Sequence, residues 1–447
     1  MKKNYSKEKL IDFLKNLVEK ENHYLEFWVE IERGVRVEKR EHKVFKKENF
    51  EDYSLTIRYF DNKEKCGLSF TTSLEFSAIK EAYQKAKNLA TYGITNKFPE
   101  GDFNYPELKS FPFKKLEFSE IIDLLEEVEN KALKFHPSIS QVEKCNFEES
   151  QVEYLLLAKN RELIWERPSY TFSISVIAEG KEKKVSSFEW NTTVELDNLE
   201  IFERTKLACQ KALALSKTKK GKSLKIGVIL PPFVAVNFLE GLSFAFLGDE
   251  VLKGRSFLKD KLGQKVFSEK VILYDDGITS SLFESRPFDD EGVPQNKKVL
   301  VEKGVIKQFL FNTYWGEIAK NQGLEEVSLG NARRDTIDSL PKIAPTNFYL
   351  EKGESLPEEL LKMEREVFEV LETLGAHTIN PISGDFSLGI SGIYYLKGEP
   401  VDYFCEVALS GNLGELFSKI VEVGKDLKFY GKVGSPTLLI EKLDLGG

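Results

Sequence analysis

The stretch Ser216–Ser223 (S-K-T-K-K-G-K-S) constrains this 447-residue chain more than any other. It is a lysine-rich break between a helical pattern at Leu199–Leu215 and an apolar run at Leu224–Leu230. A chain of this length exceeds one ordinary core, so the break reads as a domain boundary. The expected division is an N-terminal domain at 1–216, a linker at 217–223 and a C-terminal domain at 224–447. A basic run can touch phosphate. No aromatic platform is interleaved with these lysines, so a solvated linker is the reading.

Both halves mix the two periods of regular structure. Leu10, Phe13, Leu14, Leu17 and Val18 fall at helical spacing among charges, which predicts an amphipathic helix and not the unbroken apolar core of a signal peptide. Tyr24–Arg40 and Ser54–Thr72 alternate as antiparallel strands with one packed face. Phe76, Ile79, Ala82, Tyr83, Ala86 and Leu89 predict a covering helix, followed by a loop from Tyr92 to Pro112. A second helix is expected over Ser119–Phe135, strands within Val142–Val194, and a third helix over Leu199–Leu215. Beyond the break, hairpins are expected at Val299–Phe311, turning near Lys303–Gly304, and at Ile390–Ala408, turning near Lys397–Gly398. Helices are expected over Pro232–Phe246, Glu358–Leu374 and Leu413–Val423. The fold class is α+β: two domains of mostly antiparallel β-sheet with segregated helices and no short-period repeat.

Composition narrows the function classes. Apolar content of 41% with 12% aromatics supports well-formed cores. A net charge of −8 disfavours nucleic acid as a direct ligand, because phosphate neutralisation needs a basic face. Cys66, Cys145, Cys209 and Cys405 show no C-x-x-C spacing, which reads as reduced thiols in a cytoplasmic protein. No apolar run reaches the length of a bilayer span, so no membrane is expected.

Few residues group into chemistry. His23, His42, His136 and His377 are isolated and read as surface or packing residues. Asp275–Asp276 and Asp289–Asp290–Glu291 each precede a glycine and read as turn and solvation acids, with metal binding as a minor alternative. Ser387 in G-D-F-S-L-G sits one position too far from the first glycine for a nucleophile elbow. Cys405 lies in the run Y-F-C-E-V-A, where burial would make the thiol inert. No P-loop or dinucleotide fingerprint is present, so no nucleotide cofactor is assigned. G-N-A-R at Gly330–Arg333 and S-G-N-L at Ser410–Leu413 combine pliant backbone with amides. Asn331, Arg333 and Asn412 could hold an extended peptide or build tight turns.

The segment Phe238–Asp249 reads F-L-E-G-L-S-F-A-F-L-G-D. Eight further segments follow in order: Arg255–Gly263, Asp275–Gly277, Phe288–Pro294, Val301–Gly304, Gly330–Arg333, Ser383–Gly389, Ser410–Leu413 and Gly434–Thr437. Together they resemble the C-terminal half of the TldD/PmbA family, especially its PmbA (TldE) branch. TldD members carry H-E-x-x-x-H where this chain, laid on without gaps, has Leu239, Glu240 and Phe244. Tyr430, in F-Y-G-K, stands where those members carry a cysteine ligand. A hydrocarbon and a phenyl ring have no lone pair for a metal. Leu239 and Phe244 are therefore read as packing residues that close the cavity. Glu240, without a metal-bound water to activate, reads as an ordinary helical glutamate.

The resemblance implies a cytosolic subunit of a metalloprotease that processes small, flexible peptides in an enclosed chamber. It implies no cofactor in this chain, zinc in a TldD-type partner, and pairing with that partner or with itself as a homodimer. Two alternatives stand beside it. One is a self-sufficient hydrolase acting through Ser387, Cys405 or an acidic cluster. The other is a binding protein that modulates DNA gyrase or a toxin–antitoxin system without proteolysis.

Overall fold

A computed structural model describes residues 6–61, 64–325 and 327–447. Residues 25–193 supply a seven-stranded sheet dominated by four long strands, Leu25–Arg40, Lys43–Phe60, Ile139–Ala158 and Arg161–Glu179. Period-two alternation divides the sheet's faces. Phe27, Val29, Ile31, Val35 and Val37 face four helices: α1 (Lys7–Lys20), α2 (Phe76–Ala90), α3 (Phe118–Phe135) and α4 (Ile201–Leu215). Trp28, Tyr154 and Leu156 point the other way and pack on Phe288 from the second half of the chain.

That second half forms a six-stranded and a seven-stranded sheet around one large core. The apolar helix α5 (Pro232–Ser243) runs through it, with Phe238, Leu239 and Leu242 fully buried. The architecture is α+β with sheets that are mostly antiparallel, as expected. Both predicted hairpins are present, with Lys303 and Lys397 in the left-handed region at their turns.

Three local expectations are corrected, and one unassigned segment is added. Helix at Glu358–Leu374 stops at Met363, and Glu366–Leu374 is a strand between Leu224–Leu230 and Asp385–Leu396. Glu366, Glu369 and Glu372 recur every three residues, which is no strand period, so partners on both sides decide the conformation. Helix at Leu413–Val423 ends at Ser418, because Ile420–Val423 pairs with the C-terminal strand Leu438–Gly446. Lys43–Tyr53, unassigned in the sequence, extends a strand whose exposed charges conceal its period. The lysine-rich break is no free linker: Lys219–Lys220 pairs in parallel with Phe404–Cys405, and Lys219 Nζ lies 2.6 Å from Asp402.

Glu149, on the central strand Ile139–Ala158, has no solvent exposure and accepts the Leu116 amide. Burial pushes its pKa up to about 7 from 4.5, with the Leu116 amide opposing. The folded chain therefore holds a proton that the unfolded chain has released between these values, so stability falls as pH rises through that window. Glu149→Gln removes the titrating group. The variant is expected to lose less thermal stability than the parent between pH 5 and 8. Parallel melting curves would expose an error if the two profiles have the same slope.

Candidate active-site cleft

Helix α5 begins with Pro232 at its first turn and tightens at its end into a single turn, Phe244–Phe246. Glu240 and Ser243 from the helix and Phe244 from the turn line a cleft of about 570 Å³. The opposite wall comes from Lys342–Pro345, Pro381–Ile382 and Lys432–Val433. Leu239 is fully buried in the core, as expected of a packing residue. Phe244 is not: its ring is 48% exposed and forms cleft wall, so it does not close the cavity.

Charges around the cleft are mostly paired. Asp335 meets Lys342 at 2.8 Å, Glu250 meets Arg255 at 2.8 Å, and Asp249 meets Lys253 at 2.6 Å. Glu240 and Lys432 differ. Among the described residues, neither side chain makes a hydrogen bond or ion pair. Burial lowers the Lys432 pKa and nearby Arg333 adds to this, while Glu240, Asp275 and Asp335 work in the opposite direction. A tight hairpin places this lysine. Tyr430 pairs with Val433, leaving Gly431 and Lys432 as the turn, and Gly431 has φ of 59°, which glycine adopts without strain. The Phe348 amide fixes the turn by donating to the Lys432 carbonyl at 2.9 Å.

The same turn sends Tyr430 elsewhere. Its phenol donates to Glu189 at 3.3 Å in a second cleft of about 420 Å³, beside Phe233, Lys211 and Glu369. Burial and the Glu189 charge hold that phenol protonated. The structure thus does not gather Leu239, Glu240, Phe244 and Tyr430 into one donor set. Zinc does not fit these positions, since Glu240 is their only carboxylate. Among the described residues no group of three or more His, Cys, Asp or Glu is disposed to hold a metal ion.

The sequence matches the PmbA/TldA metallopeptidase C-terminal domain over residues 223–447 and the central domain of the same proteins over 111–216. The chain belongs to the TldD/PmbA family. Metalloprotease PmbA of Escherichia coli O157:H7 is 23% identical over 424 residues, spanning 93% of this chain and 90% of that protein. The crystal structure of TM0727 from Thermotoga maritima, a candidate modulator of DNA gyrase, matches with a TM-score of 0.89 at 25% identity, over 99% of this chain and 100% of that one. TldE from Thermococcus kodakarensis matches with a TM-score of 0.82 at 23% identity, over 98% and 100%. Relatives in the TldD/PmbA family carry the name metalloprotease, which makes the function of this chain peptidase-related.

Other segments of the TldD/PmbA pattern build the frame behind the cleft. Asp275, Asp276, Asp289, Asp290 and Glu291 are all buried, so the solvation role expected for them is corrected. The turn role stands. Asp276 accepts the amides of Ile278 and Thr279, and Asp289 accepts those of Glu291, Val293 and Ala332. Asn331 is 1% exposed and donates to Asp275 at 2.7 Å and to the Ala344 carbonyl at 3.1 Å. Asn412 caps the helix Leu413–Ser418 and donates to Ser383 and Asp385. Both amides therefore serve turns, the second of the two roles open to them in the sequence. Arg333 is paired with Glu284.

The hydrolase alternatives find little support in the geometry. Ser387 Oγ meets Ser410 Oγ at 2.8 Å across two exposed strand positions, and among the described residues it makes no hydrogen bond to a histidine. Cys66, Cys145 and Cys209 are buried, and burial pushes each thiol up to about 12. Cys405 is only partly buried, which corrects the expectation for it, and its sulfur accepts from Lys183 at 3.6 Å. His42, His136 and His377 are exposed, and His23 packs edge-on against Tyr59. Sequence reasoning missed Lys432. Its signal was present in F-Y-G-K, where attention fell on Tyr430.

Among the described residues, no helix is long and apolar enough to cross a membrane.

Proposed function

We propose that this chain is a PmbA/TldE-like subunit of a TldD/PmbA-type metalloprotease, holding small flexible peptides without hydrolysing them itself. Zinc and the activating glutamate would come from a TldD-type partner, and this chain would form the other wall of the chamber. One observation carries the reading: at the family's motif, the cleft offers a buried leucine and a ring on its wall where metal ligands would stand. Peptide binding needs only the remaining features. A groove that joins apolar wall to fixed charged groups suits a short extended chain. The chain's own residues bind and orient, with Phe244, Ile343 and Ile382 as apolar wall and Glu240 and Lys432 as charged ends.

Metal analysis and peptide cleavage test this directly. The purified chain, made without a metal-binding tag, is expected to hold well under one zinc per chain and to leave unfolded peptides intact. Adding a TldD-type paralogue is expected to give cleavage that a chelator stops. Chelator-sensitive cleavage by the isolated chain, lost on mutation of one of its own residues, would overturn the proposal.

A further inference from the structure

The cleft beside α5 carries one cation, Lys432, and one anion, Glu240, whose side chains make no hydrogen bond or contact ion pair among the described residues. Every other charged side chain on its walls has an opposite partner within 2.8 Å. Lys432 is half-buried, its backbone is pinned by Phe348, and none of its three ammonium donors is used by a protein acceptor. Keeping a charge half out of water without a partner is unfavourable, and such a charge gains most from an anionic ligand. The surroundings limit which anion fits. Glu240, Asp249, Glu250 and Asp335 also border the cleft, so a multiply charged phosphate meets more repulsion there than a singly charged carboxylate. The same cleft also has apolar lining, from Phe244, Ile343, Pro345, Ile382 and Val433.

We propose that Lys432 anchors the C-terminal carboxylate of a short peptide whose last side chain is apolar, so that the cleft selects free peptide ends over internal segments. This deepens the peptide-holding reading and rests on it. The lysine sits on a rigid hairpin turn and reads the ligand's charge, while the Phe244 wall reads its final side chain. A chain passing through without a free end leaves Lys432 desolvated and unpaired, which costs affinity.

The test is a ligand-observed NMR titration of the full chain with an alanine–alanine–leucine tripeptide and with its C-terminal amide. A charge-assisted hydrogen bond predicts that the free acid binds about 10-fold tighter or more. Lys432→Gln is expected to abolish that preference, and Lys432→Arg to keep most of it, both with unchanged unfolding curves. Equal affinity of acid and amide for the parent chain overturns the anchor while leaving peptide holding intact. A preference that survives in Lys432→Gln also overturns it, by placing the carboxylate elsewhere. If neither tripeptide binds, the peptide-holding reading falls and the anchor falls with it.

Discussion

Arg58→Met is expected to destabilise the folded chain by about 3–5 kcal/mol, among the largest effects of any single substitution. Arg58 has no solvent exposure and sits directly across the strand pair from Glu26. Its guanidinium donates to both Glu26 oxygens, at 2.9 and 2.7 Å, and to Glu291 at 3.1 Å. Arg334 reaches Glu26 as well, at 2.9 Å. Burial works against the Glu26 carboxylate, yet the Arg58 and Arg334 charges outweigh it and hold its pKa below the usual range. Methionine fills the volume and removes the charge, leaving two buried carboxylates short of a partner. Urea unfolding of the parent, Arg58→Met and Arg58→Met with Glu26→Gln would check the mechanism. The double variant is expected to recover part of the loss, because one stranded charge is gone. A single variant within about 1 kcal/mol of the parent would show that water or repacking satisfies Glu26 and Glu291.

The second large effect separates the two positions that metal ligands occupy in TldD members. Leu239→Ala is expected to cost about 2–5 kcal/mol, since it opens a cavity in the core packed around α5. Phe244→Ala is expected to cost about 1 kcal/mol or less, since half the ring is already in water. Binding should show the reverse order: the tripeptide loses affinity for Phe244→Ala, while folded Leu239→Ala retains it. Thermal unfolding and the same NMR titration read both quantities. Similar stability losses for the two variants would mean that the Phe244 ring belongs to the core after all.

Much of the frame was legible in the sequence because its signals are local. The apolar stripe of α1, the lysine–glycine turns of both hairpins and the proline opening of α5 depend on residues within one or two turns of chain. Glu366–Leu374 shows where that reading stops. Its length and apolar content suit a helix, and only the strands at Leu224–Leu230 and Asp385–Leu396 make extended backbone the better solution. The acids at 289–291 stand before a glycine and form a turn as their sequence says. Arg286, four residues before Asp290, is a local partner, but their burial also needs Arg58 and Arg334 arriving from distant segments, which no local pattern records.

The sequence by itself determined the family, the α+β class, and the side-chain chemistry at Leu239 and Phe244, neither of which has a lone pair to offer. Only the tertiary structure decided which of these residues meets solvent. It buried Leu239, left Phe244 on a cleft wall, and split Tyr430 from Lys432 across one tight turn. The reason is physical. Side-chain chemistry belongs to each residue, whereas exposure and pairing depend on which distant segments the folded core brings alongside it.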